Sequence, residues 1–131
     1  MTSAEQDRRA AALALIADAA CVLAFAAVGR RSHEEGLSLA GVFETAWPFL
    51  SGTALGWLVI RGWRRPTALV PTGVAVWVAT VVVGMALRKA TSQGTAVSFV
   101  VVASLVTAIL LLGWRGGAAI LARRRGVRPG L

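Results

Sequence analysis

Four apolar runs, each long enough to cross a bilayer as a helix, leave this chain few ways to fold. They lie at about 10 to 29, 39 to 60, 67 to 87 and 95 to 114, the last with a helical extension to about 122. A membrane-spanning helix needs about 20 mostly apolar residues. Within lipid the backbone must satisfy its own hydrogen bonds, which favours helices. The breaks GRRSHEEGLS, RGWRRP and RKATSQG are rich in charge and turn formers and too short to hold another domain. The chain therefore reads as all-α, an integral membrane bundle of four transmembrane helices forming one domain over residues 1–131. A hydrophobic content of 56% and a mean hydropathy of +0.69 are too high for a soluble domain of this size.

The net charge of +8 could suit nucleic acid, but the basic residues cluster between the apolar runs, as membrane flanks do. No aromatic and basic surface module has room to fold, so no nucleic-acid partner is expected. Arg8 and Arg9 before the first run resemble a signal peptide, yet Asp18 interrupts the apolar region, so the run is expected to stay as a helix. One cysteine, Cys21, excludes an intrachain disulfide.

Basic residues also set orientation. The N-terminus, second loop and C-terminus share Arg8, Arg9, Arg61, Arg64, Arg65, Arg123, Arg124, Arg125 and Arg128, against Arg30, Arg31, Arg88 and Lys89 on the other side. Nine against four predicts both termini in the cytoplasm. Trp63 and Trp114 then fall near the inner interface. A basic set that is almost all Arg, with abundant Ala, Val and Gly, points to the plasma membrane of a prokaryote.

The charges inside the runs are the candidate functional residues. A central Asp costs about 2.5 to 3.5 kcal/mol on insertion scales, and the seven large apolar residues of the first run return only about 2 to 4 kcal/mol. Asp18 therefore needs a proton, a partner or water. It shares a helical face with Ala14, Cys21, Val22, Phe25 and Gly29, which is expected to point inward. Arg115 lies at matching depth if the fourth helix runs to Ala122, at about 1.5 Å per residue. If that helix stops at Trp114, Arg115 snorkels to the interface instead.

The second run holds Glu44, with Trp47, Pro48, Ser51 and Leu55 expected on its face. Pro48 cannot donate to the carbonyl of Glu44, so either a functional break or a simple bend is open. Gly52 and Gly56 form a GxxxG spacing suited to close helix approach. In the third run Gly73, Trp77, Thr80, Gly84 and Arg88 fall on one face, and Arg88 is a second candidate ion partner, for Glu44. Ser104, Thr107, Leu111 and Arg115 share a face in the fourth run. His33, Glu34 and Glu35 read as solvated charges rather than a metal site. No nucleophile and base set, phosphate-cradling loop or HExxH occurs, so neither enzyme activity nor a cofactor is expected.

An Asp in the first run followed by FAAVGRRSH, TAWPFLSG, GWRRPTAL, GVAVWVATVVVGMALR, GTAVSFVVVASLV and LLGWR resembles the domain-of-unknown-function family 3054, over roughly residues 12 to 115. The corresponding motif residues are Asp18, Gly29, Arg30, His33, Trp47, Pro48, Arg65, Pro66, Trp77, Gly84, Arg88 and Trp114. The resemblance implies a small prokaryotic four-span membrane protein and carries no catalytic role. Two functional classes stay open. One is an accessory or structural membrane protein with internally paired charges. The other is a small oligomeric transporter or channel, proton-coupled through Asp18 or Glu44. Four short helices enclose little space, so either version is expected to pack against a second copy, as a dimer, or against a membrane partner subunit.

Overall fold

The computed structural model describes residues 2–32 and 38–126, with the side chains at 31 and 32 left aside. His33, Glu34 and Glu35 lie outside the described residues. Four helices follow one another: α1 Ser3–Ser32, α2 Leu39–Ile60, α3 Val74–Ala90 and α4 Val97–Arg124. Each packs against its chain neighbours, and α4 closes back on α1, giving a four-helix bundle. One end carries the start of α1, the α2–α3 connection and the end of α4. The other carries the α3–α4 turn.

The ends follow from local chemistry. Ser38 caps α2, its hydroxyl accepting from the Gly41 amide at 3.0 Å. Arg61 stops α2 in the left-handed region at φ 54°. The third apolar run differs from its expected start. A 3-10 turn at Gly62–Arg64 is followed by a π-type turn at Leu69–Gly73, and the α-helix begins only at Val74. Pro71 supplies no N–H, and Val70, the residue before it, is held extended at φ −122° and ψ 129°.

Three stretches, Ser3–Arg30, Leu69–Ala90 and Val97–Arg124, are long and apolar enough to cross a membrane; α2 is not among them. This corrects the expectation that all four runs qualify on composition. Glu44, Pro48, Ser51, Thr53 and two Trp interrupt the aliphatic run of α2, which buries eight of its residues against the bundle. At most 28% of the most apolar window of each long stretch is buried within the chain, so their aliphatic side chains face outward, as fits a small membrane protein.

The interior has two apolar clusters. Val22, Phe25 and Ala26 meet Ala46, Phe49 and Ala103 in the half near the α3–α4 turn. Ala14, Trp57, Val76 and Leu111 fill the other half. Between α2 and α3 the backbones nearly touch. A methyl at Gly52 would lie 2.6 Å from the Ala79 carbonyl oxygen and 2.9 Å from the Thr80 Cα. The glycine spacing read from sequence is thus a helix seam, closed by a 2.7 Å hydrogen bond between the Thr53 and Thr80 hydroxyls.

Candidate functional site

Asp18 and Arg115 are both fully buried, and they face each other across the bundle. The guanidinium meets the carboxylate as a fork: Arg115 Nη1 donates to Oδ1 at 2.8 Å and Nη2 donates to Oδ2 at 2.7 Å. A planar guanidinium matches a carboxylate in this way, and charge assistance makes such bonds the strong ones. Two indoles complete the enclosure. Trp57 Nε1 donates to Oδ2 and Trp114 Nε1 donates to Oδ1, each at 2.8 Å. The carboxylate therefore accepts four N–H bonds from three side chains on two helices.

The rest of Arg115 is held as closely. Its Nε donates to the Pro66 carbonyl at 3.1 Å, and Nη1 also donates to the Leu111 carbonyl one turn back at 3.1 Å. The guanidinium carbon sits 4.5 Å from the Trp114 ring centroid, close enough for a cation–π contact. Gly73 makes room for the stem, since a methyl there would lie 2.9 Å from Arg115 Cδ. The pair thus ties α1, α2, α4 and the α2–α3 connection together at one point. Among the described residues no buried side-chain nitrogen or oxygen lacks a hydrogen-bond partner.

The fourth helix runs through Arg115 to Arg124, so the snorkelling alternative is not the arrangement found. Trp114 differs from its expected place as an interface indole: it is half-buried and bonded to Asp18. Trp57 has no forecast role in the sequence reading. Its signal is chemical rather than periodic, because a buried indole can only donate and the runs offer few acceptors.

Glu44 and Arg88 are not brought together. Glu44 is exposed, on a side of α2 shared with the exposed Trp47, Ser51 and Leu55. Arg88 turns to the α3–α4 turn, where Nε donates to the Gly94 carbonyl at 2.9 Å and Nη1 donates to Gln93 Oε1 at 3.1 Å. The expected pair fails on direction rather than depth. Phe49, Gly52, Thr53 and Gly56 are among the residues α2 buries, which leaves Glu44 on the outside. Pro48 is buried, and α2 continues as helix across it, so of the two open readings the functional break is not the one found.

The stripe on α3 is divided among neighbours. Thr80 bonds Thr53, Gly84 lies against the Phe49 ring, and Trp77 donates its indole N–H to the Ser104 carbonyl at 3.0 Å. On α4, Ser104 and Thr107 return their hydroxyls to backbone carbonyls one turn back. These hydroxyls serve their own helices. Cys21 is half-buried on the Asp18 face.

The arrangement defines an all-α bundle of membrane type whose interior charges are spent on each other. The chain belongs to the domain-of-unknown-function family 3054, described as proteins of unknown function, which it matches over residues 15–118. The match begins three residues before Asp18 and ends three after Arg115, so the whole carboxylate enclosure lies within it. No curated protein and no solved structure matches the chain.

Proposed function

We propose that the protein is a non-enzymatic accessory or structural component of a prokaryotic plasma membrane, acting with a second copy or a membrane partner subunit. The observation that carries this reading is the closed coordination of Asp18. A proton carrier must exchange its proton with water, whereas this carboxylate is fully buried and both of its oxygens are taken up by four N–H donors of the protein. The site is built as a lock between helices, and the exposed aliphatic faces of α1, α3 and α4 offer surface for lipid or a partner.

Purified protein in sealed vesicles with an imposed pH gradient tests this reading. The expected result is dissipation no faster than in protein-free vesicles. Protein-dependent, saturable proton movement would make it a transporter instead.

The nine-to-four distribution of basic residues supports cytoplasmic termini. In a Cys21→Ala background, Thr2→Cys and Gly126→Cys should both resist a membrane-impermeant thiol reagent in intact cells and react after lysis. Labelling of either in intact cells would reverse the orientation.

A further inference from the structure

At the end of the bundle where α1 starts, a cleft of about 410 Å³ lies between the first turns of α1 and the α2–α3 connection. Asp7 and Ala10 form one wall, and Trp63, Arg64 and Pro66 form the other. Asp7 and Arg64 bring opposite charges to the cleft, and both are exposed. Among the described residues neither side chain has an ion-pair or hydrogen-bond partner. The cleft thus carries a carboxylate and a guanidinium that are not spent on each other, unlike Asp18 and Arg115 deeper in the bundle.

The lock holds one wall in place. The Pro66 carbonyl accepts from Arg115 Nε at 3.1 Å. The 3-10 turn that presents Trp63 and Arg64 rests on the Trp57 ring, so close that a methyl at Gly62 would lie 2.7 Å from it. The Arg65 N–H closes that turn on the Gly62 carbonyl at 3.2 Å. The backbone behind the cleft is therefore set before any ligand arrives.

Asp7 comes three residues before the first apolar run and Pro66 one before the third, which puts the cleft at the level of lipid headgroups. An indole such as that of Trp63 belongs at this level too. A headgroup that answers both walls needs a phosphate for the guanidinium and an ammonium for the carboxylate. The indole beside them offers a ring face that attracts an ammonium. A primary ammonium donates N–H bonds to a carboxylate, and a quaternary one has none to donate. We propose that this cleft binds the headgroup of a phosphatidylethanolamine from the adjoining leaflet, its phosphate on Arg64 and its ammonium on Asp7. This rests on the membrane reading above. The neighbouring Arg8, Arg9, Arg61 and Arg65 attract anionic lipid of any kind, so Asp7 is the residue that sets the preference at this point.

The test uses the full-length protein in a neutral detergent, titrated with phosphatidylethanolamine, phosphatidylcholine or phosphatidylglycerol, reading the lipid retained in native mass spectrometry. Phosphatidylethanolamine should bind more tightly than the other two. Arg64→Gln should weaken it about fivefold, the scale of one exposed charge pair. Asp7→Asn should weaken it by a similar factor while phosphatidylglycerol binding holds or rises, a change of preference that a general loss of structure would not produce. Ala10→Trp, at an exposed wall position, should block it with both charges intact. Equal binding of the three lipids, or phosphatidylethanolamine binding unchanged in Asp7→Asn or in Ala10→Trp, would overturn the proposal. Soluble phosphoethanolamine binding as tightly as the lipid would overturn a bilayer lipid as the occupant. Extraction of the protein from membranes by alkaline carbonate would instead defeat the membrane reading itself.

Discussion

Asp18→Asn should lower stability by about 3 to 5 kcal/mol, because it leaves a buried guanidinium without its counter-charge. The size of the side chain barely changes, so packing is not the cause. An Asn has one acceptor oxygen where the carboxylate has two, and its NH2 must point at one of the two donor sets. On one side those donors are Arg115 Nη2 and Trp57; on the other they are Arg115 Nη1 and Trp114. Either flip sets donor against donor inside the bundle. Arg115→Met should cost a similar amount by stranding the carboxylate, though two indoles remain to solvate it. The double variant, Asp18→Leu with Arg115→Met, should recover part of the loss, since removing both charges removes the desolvation cost along with the attraction. Recovery stays incomplete because Trp57 and Trp114 then keep buried N–H groups with no acceptor. Trp57→Phe and Trp114→Phe form the lower rungs of the series. Each removes one bond to a charged group, at about 1.5 to 3 kcal/mol. Unfolding in mixed micelles measures all five. With Asp18→Leu measured alone to close the cycle, losses of Asp18→Leu and Arg115→Met that simply add in the double variant would mean that the two charges do not depend on each other.

Depth was legible in the sequence and direction was not. Counting 1.5 Å per residue placed Asp18 and Arg115 at one level, and the structure joins them there. The same count placed Glu44 level with Arg88, yet Glu44 is exposed on α2. What sets the rotation of α2 is where a backbone can approach. Gly52, Thr53 and Gly56 allow contact with α3, and Phe49 fills the space beside Gly84. Once that face is buried, Glu44 has no choice of side. A carboxylate about five residues from the start of a helix can remain outward at small cost by reaching toward the interface. The indoles around Asp18 escaped for a different reason. Helical periodicity assigns a Trp to a face but does not say which atom of the ring meets a neighbour. The third apolar run is helical from Leu69, but its regular α-helix starts only at Val74, because hydropathy does not register that Pro71 supplies no N–H.

The α2–α3 seam yields the second large effect, and it is one of sign as well as size. Gly52→Ala should destabilise by about 1 to 3 kcal/mol, the usual cost of overpacking, and Gly52→Ile by more. The new methyl would meet the Ala79 carbonyl oxygen at 2.6 Å and the Thr80 Cα at 2.9 Å, and both are backbone atoms that no side-chain rotation can move aside. The helices must part, and parting them stretches the 2.7 Å bond between the buried Thr53 and Thr80 hydroxyls, leaving each with only the carbonyl of its own helix, Phe49 or Val76. Glycine elsewhere should behave in the opposite way. A methyl at Gly117, within α4, would find nothing within 4 Å. There, alanine replaces the poorer helix former, which stabilises by up to about 1 kcal/mol. Composition and hydropathy treat the two substitutions alike; only the seam separates them. Melting the two variants side by side in one detergent reads the difference. If Gly52→Ala melts at or above the parent protein, α2 and α3 are not in backbone contact, and the rotation of α2 that puts Glu44 outside and Trp57 against Asp18 would have to be redrawn.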